Sequence, residues 1–347
     1  MRINSILLIC VALTSCGQSD YNVFDAPVHE AKAQKECTLN GARLPLGENN
    51  TGNISGIFIY ESTLLLKGTV PGSPFLIHAF STVDNSYAGD YISKGRAEYE
   101  LLTPIIKGFI QNDDRPIYLF DLNLCAAYSF DIKKSLSNRM TELTLLRTLP
   151  PQTLDSYPWN DGHLVFVPRK DDYVCEILSC DGERLKNFSL FPKISGTDYF
   201  DALSSACAVN QARNRLVMAM CMFPQVNVLD VSTGEKSTIA VSKDYKNWRK
   251  ILNSSNSERR IYYTAITQSS KNIFALYSDC PFEEWVKGSI TPHLHIFDWD
   301  GNFLFDVTLS ENLKVISLDD ETNMLYGVDL NDNVYKYDLS NLLCDIK

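Results

Sequence analysis

His293 and His295 stand two residues apart, so on an extended strand both imidazoles leave the same side, as a metal pair would require. Further ligands at matching spacing are missing, and the alternation with Leu294 and Ile296 is what any packed strand shows. Packing is therefore the preferred reading, and no metal or cofactor is expected. His29, His78 and His163 are isolated, no Cys-x-x-Cys pair occurs, and Gly-x-Ser-x-Gly, the P-loop and Gly-x-Gly-x-x-Gly are absent. No motif points to Ser-His-Asp chemistry, so no catalytic residue is named. Four side chains remain as candidate contacts. Arg96 and Tyr99 lie in a polar stretch with Glu98 and Glu100, which could form a binding cluster or, preferably, an ion pair pinning a crossover. Trp159, in Tyr157-Pro158-Trp159-Asn160-Asp161-Gly162, and Trp285, after Phe282-Glu283-Glu284, read as loop aromatics. On loops, such rings stack on sugars or peptides, or cap sheet edges against water. Lys246 to Lys250 is the most basic window and reads as solvated surface.

The elements that must position these residues begin with an address. Arg2 is followed by a short apolar run from Ile6 to Leu13, too short to span a bilayer but suited to a secretory signal. Leu13-Thr14-Ser15-Cys16 then matches the lipobox of bacterial lipoproteins, in which the thiol is alkylated by diacylglycerol and the chain is cut before it. Three acyl chains would hold the protein at a membrane where one would bind only marginally. Residues 1–15 are thus expected to be a signal peptide, Cys16 the lipidation site, and 16–36 a polar tether. Gly17 rather than Asp after the anchor favours, by analogy with enterobacterial sorting, the outer membrane of the cell envelope.

The body is expected over residues 37–347, and the chain as a whole is rich in apolar residues (45%) and poor in charge (21%), which excludes disorder, collagen and coiled coil. Acidic residues outnumber basic ones by 42 to 32, and no basic run exceeds two, so no nucleic-acid partner is expected. Apart from Cys10 and Cys16, the cysteines have scattered spacing, and buried free thiols are the preferred reading. Cys175 and Cys180 occupy one extended segment, too far apart to bridge.

Short runs of Val, Ile, Leu, Tyr and Phe broken by Asp, Asn, Gly and Ser argue for an all-β fold. One element recurs six times: an apolar strand ending in an apolar or aromatic residue and a small polar one, then a turn. The copies are 75–81, 116–121, 174–179, 226–230, 293–298 and 334–338. Their steps suit the blades of a propeller, and six blades of four antiparallel strands are predicted, seven being less favoured. Glycines at Gly182, Gly234 and Gly301 supply the positive φ of the following turns. In the last blade, Leu342 to Ile346 reads as the fourth strand. Cys37 to Leu46 reads as an extra strand that pairs with that blade and closes the ring, while Lys133 to Leu149 reads as a weakly helical excursion.

These copies, the lipobox and the segment Lys94-Gly95-Arg96-Ala97-Glu98-Tyr99-Glu100-Leu101 together resemble the BF3164-like lipoprotein family, six-bladed TolB-like propellers of Bacteroidetes. Members typically read Lys-Gly-Arg-Gly-Pro-x-Glu-Phe there; Lys94, Gly95, Arg96 and Glu100 match, and Ala97 and Glu98 depart. The resemblance implies a fold and an address, not a reaction. The expected function is a membrane-anchored binding or scaffold module. The alternative is a metal-dependent hydrolase or lyase of the lactonase kind, with carboxylates and an Asn converging on the axis. Cleavage before Cys16 removes Arg2 and leaves an acidic chain, which disfavours anionic glycans and favours a neutral saccharide, a peptide or an envelope protein.

Overall fold

A strand buried on both faces has no polar side, and the runs predicted above behave that way. In Thr63–Lys67, Leu65 packs towards the following sheet with Ile117 and Leu119, while Leu64 and Leu66 pack towards the last sheet with Tyr326 and Val328. Such sheets must be stacked face to face around an axis. The computed structural model describes residues 22–46, 52–111, 115–169, 172–192, 202–255, 258–288, 290 and 292–344. Among them the strands form six small sheets, a six-bladed β-propeller. The predicted signal peptide and Cys16 lie outside the described residues.

Three short strands come first: β1 (Val28–Glu30), β2 (Lys35–Leu39) and β3 (Ala42–Arg43). Blade 1 is β4 (Gly56–Tyr60), β5 (Thr63–Lys67), β6 (Phe75–Ser81) and β7 (Tyr87–Lys94), with β8 (Glu100–Leu101) added in parallel to β7. Blade 2 is β9 (Pro104–Phe109), β10 (Ile117–Asp121), β11 (Ala126–Phe130), helix α1 (Ile132–Asn138) and β12 (Leu143–Thr148). Blade 3 is β13 (Asp155–Trp159), β14 (Gly162–Arg169), β15 (Asp172–Leu178) and β16 (Arg184–Ser189). Blade 4 is β17 (Ser205–Asn210), β18 (Arg215–Met220), β19 (Gln225–Asp230) and β20 (Lys236–Ala240), followed by α2 (Trp248–Asn253). Blade 5 is β21 (Arg260–Gln268), β22 (Asn272–Pro281), α3 (Phe282–Lys287), β23 (His293–Asp298) and β24 (Phe303–Leu309). Blade 6 is β25 (Leu313–Asp319), β26 (Met324–Asp329) and β27 (Val334–Asp338), then α4 (Ser340–Cys344).

The recurring small polar residue has one job: it holds the turn after the third strand. Its side-chain oxygen accepts turn N–H groups in an Asx- or Ser-turn. Ser81 accepts from Val83, Ser179 from Glu183, Asp230 from Ser232 and Thr233, Asp298 from Asp300 and Asn302, and Asp338 from Ser340. Blade 2 corrects the reading. Its copy at 116–121 is the second strand, β10, and the third is β11, ending in Phe130-Asp131, where Asp131 accepts from Lys134 and caps α1. Moving the copy from Asp121 to Asp131 makes the first two steps nearly equal. Gly182, Gly234 and Gly301 all have positive φ, as their turns demand.

Closure works as expected at one end of the chain and not at the other. β3, inside the predicted 37–46 segment, pairs antiparallel with β27 and supplies the fourth strand of blade 6. The described part of the expected strand Leu342 to Ile346 is therefore not that strand; the edge is taken, and Ser340–Cys344 forms α4, with Leu342 and Leu343 against the core, while residues 345–346 lie outside the described residues. The expected tether also needs correction over its described part. From Asn22 on, the chain is packed: Val23 and Phe24 are fully buried against blades 3 and 4. β1 then pairs in parallel with β20 and β2 with β24. This belt of residues 22–46 straps blades 4, 5 and 6 in turn. All eight described cysteines are free; Cys175 and Cys280 are buried, whereas Cys180 and Cys344 are exposed.

Candidate functional site

Each blade runs from its inner strand outwards in the same up-and-down order, so the six inner strands begin at one end of the ring. The connections from second to third strand, and from one blade to the next, lie at that same end, here the mouth end. The tight turns held by Ser81, Ser179, Asp230 and Asp298 lie at the other.

Cation–carboxylate pairs cluster where the inner strands begin. Lys107 on β9 reaches across to Asp155 on β13, with Nζ 2.6 Å from Oδ1 and 2.7 Å from Oδ2. Tyr157 donates its phenol to the same carboxylate at 2.8 Å, and Lys107 Nζ sits 4.6 Å over the Tyr157 ring. In blade 5, Arg260 Nε donates to Asp279 at 2.8 Å; in blade 6, Lys314 Nζ donates to Asp332 at 2.6 Å, and Asp332 also accepts from Ile54 N. Burial first, then the Asp155 charge, pushes the Tyr157 phenol well above its ordinary range. Burial likewise raises the neighbouring Cys207 thiol to about 12. Lys67, at the end of β5, differs. Burial pulls its ammonium below the usual lysine range, the Asp121 charge opposes that shift and Lys107 adds repulsion, and no hydrogen bond or ion pair is seen for it among the described residues.

Two constellations away from the mouth look catalytic by composition. Tyr118 OH is 2.7 Å from Ser156 Oγ and 2.8 Å from His163 Nδ1. Ser156 is 0% exposed, so no substrate reaches its hydroxyl, and burial drives His163 down to about 4. The trio bridges blades 2 and 3. In blade 5, Asp306 Oδ1 lies 2.7 Å from His293 Nδ1 and 3.8 Å from His295 Nε2, while the other His295 nitrogen meets the Tyr263 phenol at 3.0 Å. His295 stacks on Tyr277 at 4.1 Å, and burial lowers it to about 3. His295 is thus packed inside the fold with both ring nitrogens turned to protein partners, while His293 beside it is half-exposed and bonded to Asp306. Among the described residues no three His, Cys, Asp or Glu side chains are grouped to hold a metal ion.

The four candidate contacts divide. Arg96 is exposed and Tyr99 is 49% exposed, in the connection between β7 and β8 at the mouth end. Glu100 is not Arg96's partner: its Oε2 accepts from Ala97 N at 2.9 Å and folds over Gly95, where a Cβ would lie 1.8 Å from it. The expected ion pair is thus replaced by a carboxylate-held turn, and a side chain at position 95 would displace the Glu100 carboxylate from it. Trp285 is half-buried on α3, stacked on Phe282 at 6.4 Å, also at the mouth end. Trp159 is a correction: it ends β13 at the opposite end, is 4% exposed and packs in the core between blades 3 and 4. Arg96 and Tyr99 in blade 1 and Trp285 in blade 5 share a face without touching, blade 6 lying between them. Sequence reading missed the paired charges. Their signal is a lone charge set in or beside an apolar strand, as in Leu64-Leu65-Leu66-Lys67 and Ile105-Ile106-Lys107.

No family model and no curated protein matches the chain. Solved structures do. A protein of Bacteroides fragilis described as exported aligns with TM-score 0.57 and 11% identity, over 89% of this chain and 98% of its own. A member of the DUF4221 family from Bacteroides vulgatus aligns with TM-score 0.54 and 11% identity, over 89% and 97%. Virginiamycin B lyase from Staphylococcus aureus aligns with TM-score 0.50 and 10% identity, over 87% and 99%. At these identities the likeness concerns the fold.

Proposed function

We propose that the chain is an envelope lipoprotein of the BF3164-like kind, anchored through Cys16, whose propeller binds a partner at its mouth end and transforms nothing. One contrast carries this reading. The two groupings that look catalytic by composition hold Ser156, His163 and His295 buried and hydrogen-bonded inside the fold, while exposed Arg96 and Tyr99 and half-buried Trp285 stand around a mouth of paired charges. A catalytic acid or base works best near the ambient pH. His163 and His295 titrate near 4 and 3, and the Cys207 thiol near 12, so all three are locked in one state. The mouth instead offers donors, with Lys67 free to take a carbonyl or carboxylate oxygen, and aromatic rings to stack on apolar faces. A peptide, a neutral saccharide or a neighbouring envelope protein fits that surface on an acidic body, and the membrane of this reading is the outer one. The Bacteroides neighbours, one described as exported, support the address.

Growth with a labelled fatty acid tests the anchor: wild type takes label and Cys16→Ser does not, whereas equal labelling sinks the anchor. Purified protein assayed on lactones and glycans with divalent cations tests the binding half. No turnover is expected; cation-dependent turnover puts a hydrolase or lyase in its place.

A further inference from the structure

The described chain starts at Asn22, and residues 17–21 separate it from Cys16. Six peptide steps reach at most about 20 Å fully extended. An anchor at Cys16 therefore holds the part of the ring beside Asn22 against the lipid surface, and Asn22 to Ala26 fill the outer wedge between blades 3 and 4. Phe24 there packs on Phe191, just beyond β16, with ring centroids 5.9 Å apart.

This rim is unlike the rest of the ring. The outer strands of blades 1, 4 and 5 each carry a further parallel strand, and β3 fills the last blade. β12 and β16 carry none among the described residues. They carry exposed apolar side chains among polar ones: Leu145 is 55%, Leu146 41% and Leu185 60% exposed, and Met140 just before β12 is 61%. Residues 131–147 and 180–189 hold six basic side chains (Lys133, Lys134, Arg139, Arg147, Arg184 and Lys186) against four carboxylates, on a chain of net charge −10. The rim is continuous from blade to blade. Arg147 donates to the Cys180 carbonyl of blade 3, Lys186 to the Ser232 carbonyl of blade 4, and Lys236 to the Phe24 carbonyl of the chain's start. Exposed leucines interleaved with Lys and Arg suit the boundary of an anionic bilayer.

We propose that the outer rim of blades 2 and 3, beside the first packed residues, lies on the lipid surface. The partner is an anionic bilayer, and the mouth end, opposite the turns that carry this rim, faces away from it. This rests on the anchor at Cys16. A ring held this way keeps Arg96, Tyr99 and Trp285 clear of the membrane for a soluble or neighbouring partner.

The test is hydrogen exchange on the full acylated protein, on vesicles of phosphatidylethanolamine and phosphatidylglycerol and on the same chain carrying Cys16→Ser in solution. On vesicles, peptides covering 143–148 and 184–189 should exchange severalfold more slowly, and those covering 94–101 and 282–287 should not change. The acylated double variant Leu145→Asp, Leu185→Asp should still sediment with vesicles and melt as wild type, but lose the slowing. Vesicle-bound, acylated protein with unchanged exchange at both strands, or with slowing confined to blades 5, 6 and 1, overturns the orientation and leaves the anchor intact. A mass without acyl chains overturns the anchor itself, and with it the rim's partner.

Discussion

Blades 4 to 6 and blades 2 and 3 are built from the same four-strand unit, yet their outer edges end differently. In blades 4 and 5 the outer strand is covered by β1 and β2, and in blade 6 it is β3 itself. In blades 2 and 3 no strand covers it among the described residues, and it carries exposed leucines. An unpaired strand edge is a liability unless something manages it. The N-terminal belt manages the edges of blades 4 to 6 and β8 that of blade 1, while among the described residues no strand covers the edges of blades 2 and 3. The difference teaches that a blade's identity is local, whereas the fate of its edge is set by residues hundreds of positions away.

The largest effect should come from the belt. Phe24 is fully buried, so Phe24→Ala should cost about 3–5 kcal/mol and lower the melting temperature markedly. A melting curve equal to wild type would mean that the belt is an ornament on an already closed ring.

Nearly as large should be the contrast between two tryptophans at opposite ends of the ring. Trp159→Ala opens a cavity between blades 3 and 4 and should cost about 3–5 kcal/mol in urea unfolding. Trp285→Ala, on a half-buried surface helix, should cost well under about 1 kcal/mol while weakening partner capture. Reversed costs would return Trp159 to the contact surface.

Acid should separate the two halves next. His163 in bare blade 3 and His295 in belted blade 5 both have folded pKa values below the unfolded value, so the unfolded chain binds more protons between about pH 4 and 6.5. Their contribution is full above pH 6.5 and falls on acidification, by about 2 kcal/mol each at pH 5. His293 works the other way. Asp306, and Glu36 on the belt strand β2, raise its pKa, so its stabilisation is full below pH 6.5 and offsets part of the acid loss in blade 5 alone. Unfolding measured from pH 7 to 5 should show stability falling with pH, and the fall should be smaller in His163→Phe, provided the variant folds. The same slope in both proteins would contradict the assignment of His163 as a buried neutral group.

The smallest stability effect belongs to the bare rim. Leu185 is exposed, so Leu185→Asp should change unfolding by about 0.5 kcal/mol or less. A large loss in melting temperature would show that the rim is part of the core after all.

The strands and their turns were legible in sequence because each blade repeats a local rule: apolar run, small polar residue, glycine turn. Asp230 and Asp298 with Gly234 and Gly301 announce their hairpins, and the closing role of 37–46 follows from the ring's need for a partner strand. Blade 2 misled because Pro116 to Asp121 has the composition of a third strand while pairing as a second; Asp121 also ends in a polar cap, accepting from Leu102, Thr103 and Leu124. The belt was illegible because Val23 and Phe24 are two apolar residues in a polar stretch, buried only by packing against blades 3 and 4, more than a hundred residues away in sequence. Trp159 looked like a loop aromatic because Pro158 and Asn160-Asp161 flank it, yet Pro158 sits on an inner edge strand, where its missing N–H costs little. The mouth was hidden for another reason. Lys107 and Asp155 lie 48 residues apart and meet only when two inner strands stand side by side.

The claim that the mouth end is where the protein works is tested most directly by a photo-crosslinking residue placed in living cells at Tyr99, at Trp285 and, as the opposite-end control, at Leu185. The account predicts one partner captured from both Tyr99 and Trp285, lost in Arg96→Ala, and not captured from Leu185. Capture of that partner from Leu185 with none from the mouth end would contradict it.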